Sequence, residues 1–253
     1  MLLLSGVAMD GQYIEPVLFS RFFETSLLPS LCAVCHAWGA QRVCVDCIAR
    51  FAPHVARCPG CALEVPVGTG RCGTCLTDPP PFAASVAAVD YSHPWDGLIA
   101  RFKFHAALDL APALSARLLA AIQRGQAPQP SLLLPVPLSP QRLRERGYNQ
   151  AWELAQQLGR ALHCSADARL LLRVKDGPHQ LAFPREQRAA NVRGAFAVEP
   201  MRFSELRGRS VALVDDVMTS GATATEATRV LLQAGAASVQ VWVVGRTARP
   251  QDR

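Results

Sequence analysis

Four Cys-x-x-Cys pairs crowd the first third of this 253-residue chain: "CAVC" at Cys32 and Cys35, "CVDC" at Cys44 and Cys47, "CPGC" at Cys58 and Cys61, and "CGTC" at Cys72 and Cys75. In a CxxC turn both thiolates can reach one metal ion, and two such turns complete a tetrahedral sulfur shell. Four turns therefore predict two zinc ions in a small double zinc ribbon over residues 31–76. The short gaps leave room for a hairpin each, and Pro59, Gly60 and Gly73 are suitable residues inside the turns. Sequential pairing, first with second and third with fourth, is the expectation; an interleaved cross-brace is the alternative that spacing leaves open. Four sulfurs close each shell, so the sites read as structural and not catalytic, and His36 and His54 are not needed as ligands. Disulfides would require an oxidising compartment, and a redox-active CxxC usually occurs singly near a βαβ pattern. Cys164, the ninth cysteine, reads as an ordinary buried thiol.

Half of the residues are apolar and 18% are charged, enough for a sizeable globular core. No run of about 18 apolar residues occurs, so no membrane span is expected. The opening "MLLLSGVAMD" has no basic region and too short an apolar one for a signal peptide. Cytoplasm is then the simplest compartment, and translation could also start at Met9. Residues 1–30, with Phe19, Phe22 and Phe23, could form an amphipathic helix that packs on the rest of the chain. "TDPPP" opens a stiff, Pro-rich linker over 77–84.

From residue 85 to 248 the pattern alternates. Strands are expected at 85–91, 131–137, 169–174, 210–215 and 238–245. Helices are expected at 94–104, 110–124, 141–162 and 221–236, the first opening with Pro94. The strands read as continuous apolar runs, which predicts an α/β domain with a parallel sheet covered by helices on both sides. The polar stretch 175–196 between two of the strands predicts a long loop or lid.

One strand carries a conflict. "VALVDDVMTSGATATEA" buries four apolar residues and then places two carboxylates, Asp215 and Asp216, side by side. In such sheets ligands bind beyond the carboxyl ends of the strands. Adjacent carboxylates suit neighbouring sugar hydroxyls. The turn that follows, with Thr219, Ser220 and Thr223 at a helix start, suits a phosphate. The stretch could thus hold both ends of a phosphorylated ribose. It is not a Walker A loop, because GxxxxGK[ST] is missing.

This pattern resembles the phosphoribosyl-pyrophosphate (PRPP) motif of type I phosphoribosyltransferases. The resemblance implies that Asp215 and Asp216 hold the ribose and that Thr219, Ser220, Gly221, Ala222 and Thr223 hold the 5′-phosphate. The common form has Thr-Thr-Gly; Thr219-Ser220-Gly221 keeps the hydroxyl. With "LPVPLSPQRLRERGYNQAWELA", "REQRAANVRGAF" and the double ribbon, the chain resembles the ComF family, which includes GntX-like proteins. That resemblance implies a pyrophosphate–Mg²⁺ loop at Val136, Pro137, Leu138 and Ser139. It also implies anion-binding or lid residues at Arg142, Arg146, Asn149, Gln150, Arg185, Arg188 and Asn191. Guanidinium groups suit phosphate oxygens through bidentate bonds.

The net charge of +6 favours anionic partners. Most of it lies between Arg142 and Arg193, where nine arginines and one lysine face five carboxylates. Three roles fit. An active transferase would bind PRPP with Mg²⁺ and pass the ribose to a nucleophile while the lid excludes water. A nucleic-acid-handling factor would grip single-stranded DNA through the arginines and the ribbons, with Tyr148, Trp152 or Phe183 as stacking partners. An adaptor would dock a helicase of the DNA-uptake machinery through its ribbons. The ComF resemblance favours a PRPP-binding, phosphoribosyltransferase-like protein acting in DNA uptake or utilisation.

Overall fold

The computed structural model describes residues 29–125, 128–175 and 192–248. The expected N-terminal helix and most of the expected lid, with Arg185, Arg188 and Asn191, lie outside the described residues.

The two cysteine-rich modules repeat one plan. In the first, strands β1 (Ser30–Leu31) and β2 (Trp38–Gly39) form a hairpin around Cys32 and Cys35. The second pair then sits at the start of helix α1 (Val45–Phe51), with Cys44 as its N-cap. In the second module a bridge between Arg57 and Glu64 closes the turn around Cys58 and Cys61. Cys72 is the N-cap of helix α2 (Gly73–Thr77). A hairpin was expected in every gap; instead, the second CxxC of each module lies on a helical first turn. There, residues i and i+3 lie on one side, so both sulfurs face the same point.

The sheet is built from β3 (Ala84–Asp90), β4 (Leu132–Pro135), β7 (Ser210–Met218) and β8 (Ser238–Arg246), all parallel, in the order β3-β8-β7-β4. Helices α3 (Trp95–Phe104), α4 (Ala111–Arg124), α5 (Pro140–Arg146), α6 (Gln150–Leu162) and α7 (Ala222–Gln233) supply the connections and the cover. Alternate residues of each strand serve opposite faces. Leu133, Ala212, Val214, Trp242 and Val244 pack with α3, α4 and α6 in one cluster, which also takes Cys32, Val43 and Cys47 of the first module. Leu132, Leu134, Val211, Leu213, Val241 and Val243 pack with Ala227 and Leu231 of α7 in the other, which takes Ala62 of the second module.

Both sheet edges are covered. On the outer side of β3, the Ser85 N–H donates to the Pro59 carbonyl at 2.8 Å, so the second module takes one bonding position of that edge. Beyond β4, the Leu133 N–H donates to the Ser165 carbonyl at 2.8 Å. Covering an edge in this way removes a template for unwanted pairing.

The expected strand at 169–174 does not join this sheet. It shrinks to β5 (Leu171–Arg173), paired antiparallel with an unforeseen β6 (Phe196–Val198). The expected helix 141–162 is broken into α5 and α6. The chain turns left-handed at Gly147 (φ 81°), and Asn149 caps a fresh start by accepting from the Ala151 N–H at 2.9 Å.

Candidate functional site

Strand β7 outruns its neighbour β4. The Val136 N–H donates to the Val214 carbonyl at 2.9 Å, and there the β4 pairing stops. On its other side β7 stays paired with β8 as far as Met218 and Arg246. Asp215 and Asp216 thus lie inside the strand and not after its end. They sit one step past the point where β4 departs into the loop Val136–Ser139.

The two carboxyl groups stay close enough to interact, and the Asp216 N–H donates to Asp215 Oδ1 at 2.8 Å. Asp216 is 2% exposed and belongs to the face covered by α3. There Lys103 Nζ approaches its Oδ2 to 3.0 Å. Burial works to lower the pKa of the Lys103 ammonium, but Asp216 and Asp215 more than offset this and hold it above its usual value. The Asp215 carboxyl is pushed up to about 8, first by burial and then by the neighbouring Asp216. A buried carboxylate beside a second one resists ionising.

The loop after β7 is short. Thr219 is exposed, and Ser220, Gly221, Ala222 and Thr223 are half-buried. Gly221 has φ 81° and is the N-cap of α7. That left-handed conformation costs an L residue about 1–2 kcal/mol, which accounts for glycine here. Ser220 Oγ accepts from the Ala222 N–H at 3.3 Å. The start of α7 thus gathers backbone donors and hydroxyls beside the acidic pair, an arrangement that suits a phosphate.

On the β4 side, Val136, Pro137 and Ser139 are buried. Ser139 caps α5 by accepting from the Arg142 N–H at 3.4 Å. Asn149 Nδ2 donates to the Val136 carbonyl at 3.1 Å, tying the start of α6 to this loop. Gln150 is buried and accepts from Arg146 Nη1. Asn149 and Gln150 therefore brace the site from below. The half-buried Arg146 is held by opposing influences, burial lowering its pKa and Asp216 raising it. Its guanidinium also lies 5.1 Å from the ring centre of Phe104.

Three residues of this region carry no motif. Lys103 partners Asp216. Phe104 is 58% exposed, with the Lys103 ammonium 6.0 Å and the Arg146 guanidinium 5.1 Å from its ring. Arg246 holds the loop after β7 from behind. A signal existed for Lys103, one of only two lysines in a chain rich in arginine. Of the stacking candidates, Tyr148 donates its hydroxyl to the Phe102 carbonyl, Trp152 packs on the core, and Phe183 lies outside the described residues.

The thiols gather as two separate groups, Cys32, Cys35, Cys44 and Cys47, and Cys58, Cys61, Cys72 and Cys75, each with all sulfurs within 4.8 Å of one another. The pairing is sequential. A tetrahedral zinc with bonds of about 2.3 Å sets its sulfurs roughly 3.8 Å apart. Cys32 and Cys47 are 3.9 Å apart, Cys35 and Cys44 3.6 Å, Cys61 and Cys72 3.5 Å. None is a disulfide. The Cys44 N–H points at Cys32 Sγ (3.4 Å) and the Cys72 N–H at Cys58 Sγ (3.3 Å). Burial raises the Cys32 thiol, but backbone donors from Cys35, Cys44 and Val34 outweigh it and bring it down to about 6. Both groups fit a structural zinc ion. A Cβ on Gly60 would fall 3.0 Å from Cys75 Sγ, so the second knuckle admits only glycine there without a shift.

A family profile described as Phosphoribosyl transferase domain matches residues 145–253. The DNA utilization protein YhgH of Escherichia coli (strain K12) is 34% identical over 227 residues, 87% of this chain and 98% of its own length. The chain belongs to the ComF family. Competence protein F of Haemophilus influenzae is 34% identical over 193 residues, 75% of this chain and 84% of its own. Likeness of this ComF-family chain to solved structures is weak. Glutamine PRPP amidotransferase from B. subtilis is 18% identical over 56% of this chain and 30% of its own, with a TM-score of 0.37. Adenine phosphoribosyltransferase from Leishmania donovani is 12% identical over 66% of this chain and 86% of its own, with a TM-score of 0.36.

Proposed function

We propose that this ComF-family protein binds PRPP, or a related phosphoribosyl ligand, at the carboxyl end of its parallel sheet and acts in DNA uptake or utilisation. The observation that carries this reading is the juxtaposition on β7 and α7: Asp215 and Asp216 inside the strand, then a loop that opens a helix at a left-handed Gly221.

In this reading Asp215 and Asp216 orient the ribose hydroxyls. The donors of 219–223 hold the 5′-phosphate. The loop Val136–Ser139, with Arg142 and Arg146, faces the pyrophosphate. Mg²⁺ would arrive with PRPP, as the counter-charge its pyrophosphate needs. If the protein turns over, an acceptor nucleophile displaces pyrophosphate at the anomeric carbon. Arg185, Arg188 and Asn191 would take part from the lid. The two thiol clusters hold structural zinc. Among the described residues no helix is long and apolar enough to cross a membrane, and a cytoplasmic site of action fits the role.

A second reading is favoured by Phe104, an exposed ring flanked by two cations next to the acidic pair. Single-stranded DNA could stack a base on it while Lys103 and Arg146 meet the backbone. In the adaptor variant of this role the thiol modules dock a DNA-uptake helicase.

Calorimetric titration of PRPP with Mg²⁺ into the wild type and into Asp215→Asn/Asp216→Asn tests the first reading. Saturable binding to the wild type that is lost in the variant is expected. A folded wild type that takes no PRPP would overturn it and make single-stranded DNA the ligand to titrate.

A further inference from the structure

Arg246, the last residue of β8, is 3% exposed. Its guanidinium reaches two places at once. Nε donates to the carbonyl of Cys61 at 2.8 Å. Nη1 donates to the carbonyls of Met218 at 2.9 Å, Thr219 at 2.5 Å and Thr247 at 2.8 Å. Cys61 is a thiol of the second cluster. Met218 ends β7 and Thr219 opens the loop before α7. One buried side chain therefore joins a metal-binding knuckle to the candidate phosphate loop.

The geometry gives this link a direction. A trans peptide is planar, with its C=O and N–H antiparallel. Drawing the Met218 and Thr219 carbonyls toward Arg246 turns the Thr219 and Ser220 N–H groups away from it. The Met218 carbonyl also accepts from the Thr247 N–H at 3.2 Å, so it is the Thr219–Ser220 peptide that depends on Arg246; without that donor it could rotate, and the helix start would lose a preset N–H. Arg246 is in turn fixed by the Cys61 carbonyl, whose position depends on the knuckle being closed. Without metal the turn keeps its backbone bonds, Cys58 N–H to the Leu63 carbonyl and Ala62 N–H to the Cys58 carbonyl, both 2.8 Å, but loses the bonds that tie Cys58 and Cys61 to Cys72 and Cys75. Among the described residues no comparable side chain joins the first cluster to the loop 219–223: it packs on the opposite face of the sheet, with α3, α4 and α6.

We propose that Arg246 is a positioning residue through which metal occupancy of the second cluster, and not the first, sets the affinity of the loop 219–223 for a phosphorylated ligand. This rests on the reading of that loop as the phosphate site. It makes the second cluster a gate on ligand binding: loss of its metal, by chelation or thiol oxidation, weakens binding without touching any residue that meets the ligand.

The test uses the full chain and three variants: Arg246→Lys, Cys61→Ser and Cys35→Ser. Two quantities are read, the Kd for PRPP with Mg²⁺ and the amide hydrogen exchange of 217–223. Lysine keeps the charge but cannot span carbonyls on two sides with a rigid fork. Cys61→Ser and Arg246→Lys are each expected to weaken PRPP binding at least tenfold and to speed exchange of the loop at least tenfold. Combining them should add little to either alone. Cys35→Ser, which opens the first cluster, should have an effect at least fivefold smaller on both. Equal effects of Cys35→Ser and Cys61→Ser would overturn the proposal, as would unchanged loop exchange in Arg246→Lys. If Cys61→Ser also exposes the β8 amides, Arg246→Lys decides, since it leaves every thiol in place. If the wild type takes no PRPP, the phosphoribosyl reading fails, while the exchange measurements still decide whether the cluster and the loop are coupled.

Discussion

Lys103 Nζ stands 3.0 Å from Oδ2 of Asp216, a carboxylate buried on β7 and met by a lysine from α3. Removing one partner of such a pair strands the other charge away from water. Lys103 is partly exposed, which softens the penalty. Lys103→Met is expected to destabilise the fold by about 1–3 kcal/mol. The double variant Lys103→Met/Asp216→Leu should cost less than Lys103→Met alone, because no buried charge remains. Urea denaturation of the wild type and both variants measures this. A double variant worse than the single would show that the pair is held for its attraction and not merely tolerated.

The raised Asp215 carboxyl makes a pH prediction. Its folded value of about 8 lies above the ordinary 3.8, so between these limits the folded state holds more protons than the unfolded one. Its contribution to stability is complete below about pH 4 and is lost as pH rises through 8. Asp215→Asn lacks this group. The stability of the wild type relative to the variant should therefore fall steadily from pH 5 to pH 9. A difference that stays flat across that range would contradict a protonated Asp215.

Metal analysis of the purified chain should give two zinc ions per chain, and Cys35→Ser or Cys61→Ser about one. Strong chelators should release both and unfold residues 30–77, since the binding free energy of such sites is folding free energy. A value near zero, with thiols blocked as disulfides, would contradict the structural-zinc reading.

Gly221→Ala tests the loop without removing any polar group. Alanine at φ 81° costs about 1–2 kcal/mol. The α7 start should relax away from this geometry. PRPP affinity is expected to fall more than tenfold while the melting temperature drops by only a few degrees. Equal loss in both would mean that the turn matters to the fold alone.

The parts of this architecture legible in the sequence are those set by local patterns. Val211–Val214 and Val239–Val244 announce buried parallel strands, and the acidic pair followed by Thr219-Ser220-Gly221 announces the turn. The CxxC spacing announces two closed metal sites. What stayed hidden depends on residues that meet across the chain. Lys103 looks like one more charge on an amphipathic helix until α3 lies over β7. Arg246 looks like the polar end of a strand, and its partner Cys61 lies 185 positions away. The β5–β6 pair was half visible because three-residue strands carry too little periodicity to read. The break at Gly147 does leave a local mark, since Asn149 is a good N-cap for the new start.

The contact between Ser85 and Pro59 has a consequence for the chain as it is made. Residues 57–75 leave the ribosome before β3, and β3 long before β8, its neighbour in the sheet. A knuckle already closed on its metal can receive the Ser85 N–H of β3 as soon as that strand emerges, so the guard is in place before the edge it guards. A chain synthesised under zinc starvation would instead present a bare strand to its neighbours on the same message, and its failure would be seen as insoluble protein rather than as lost binding.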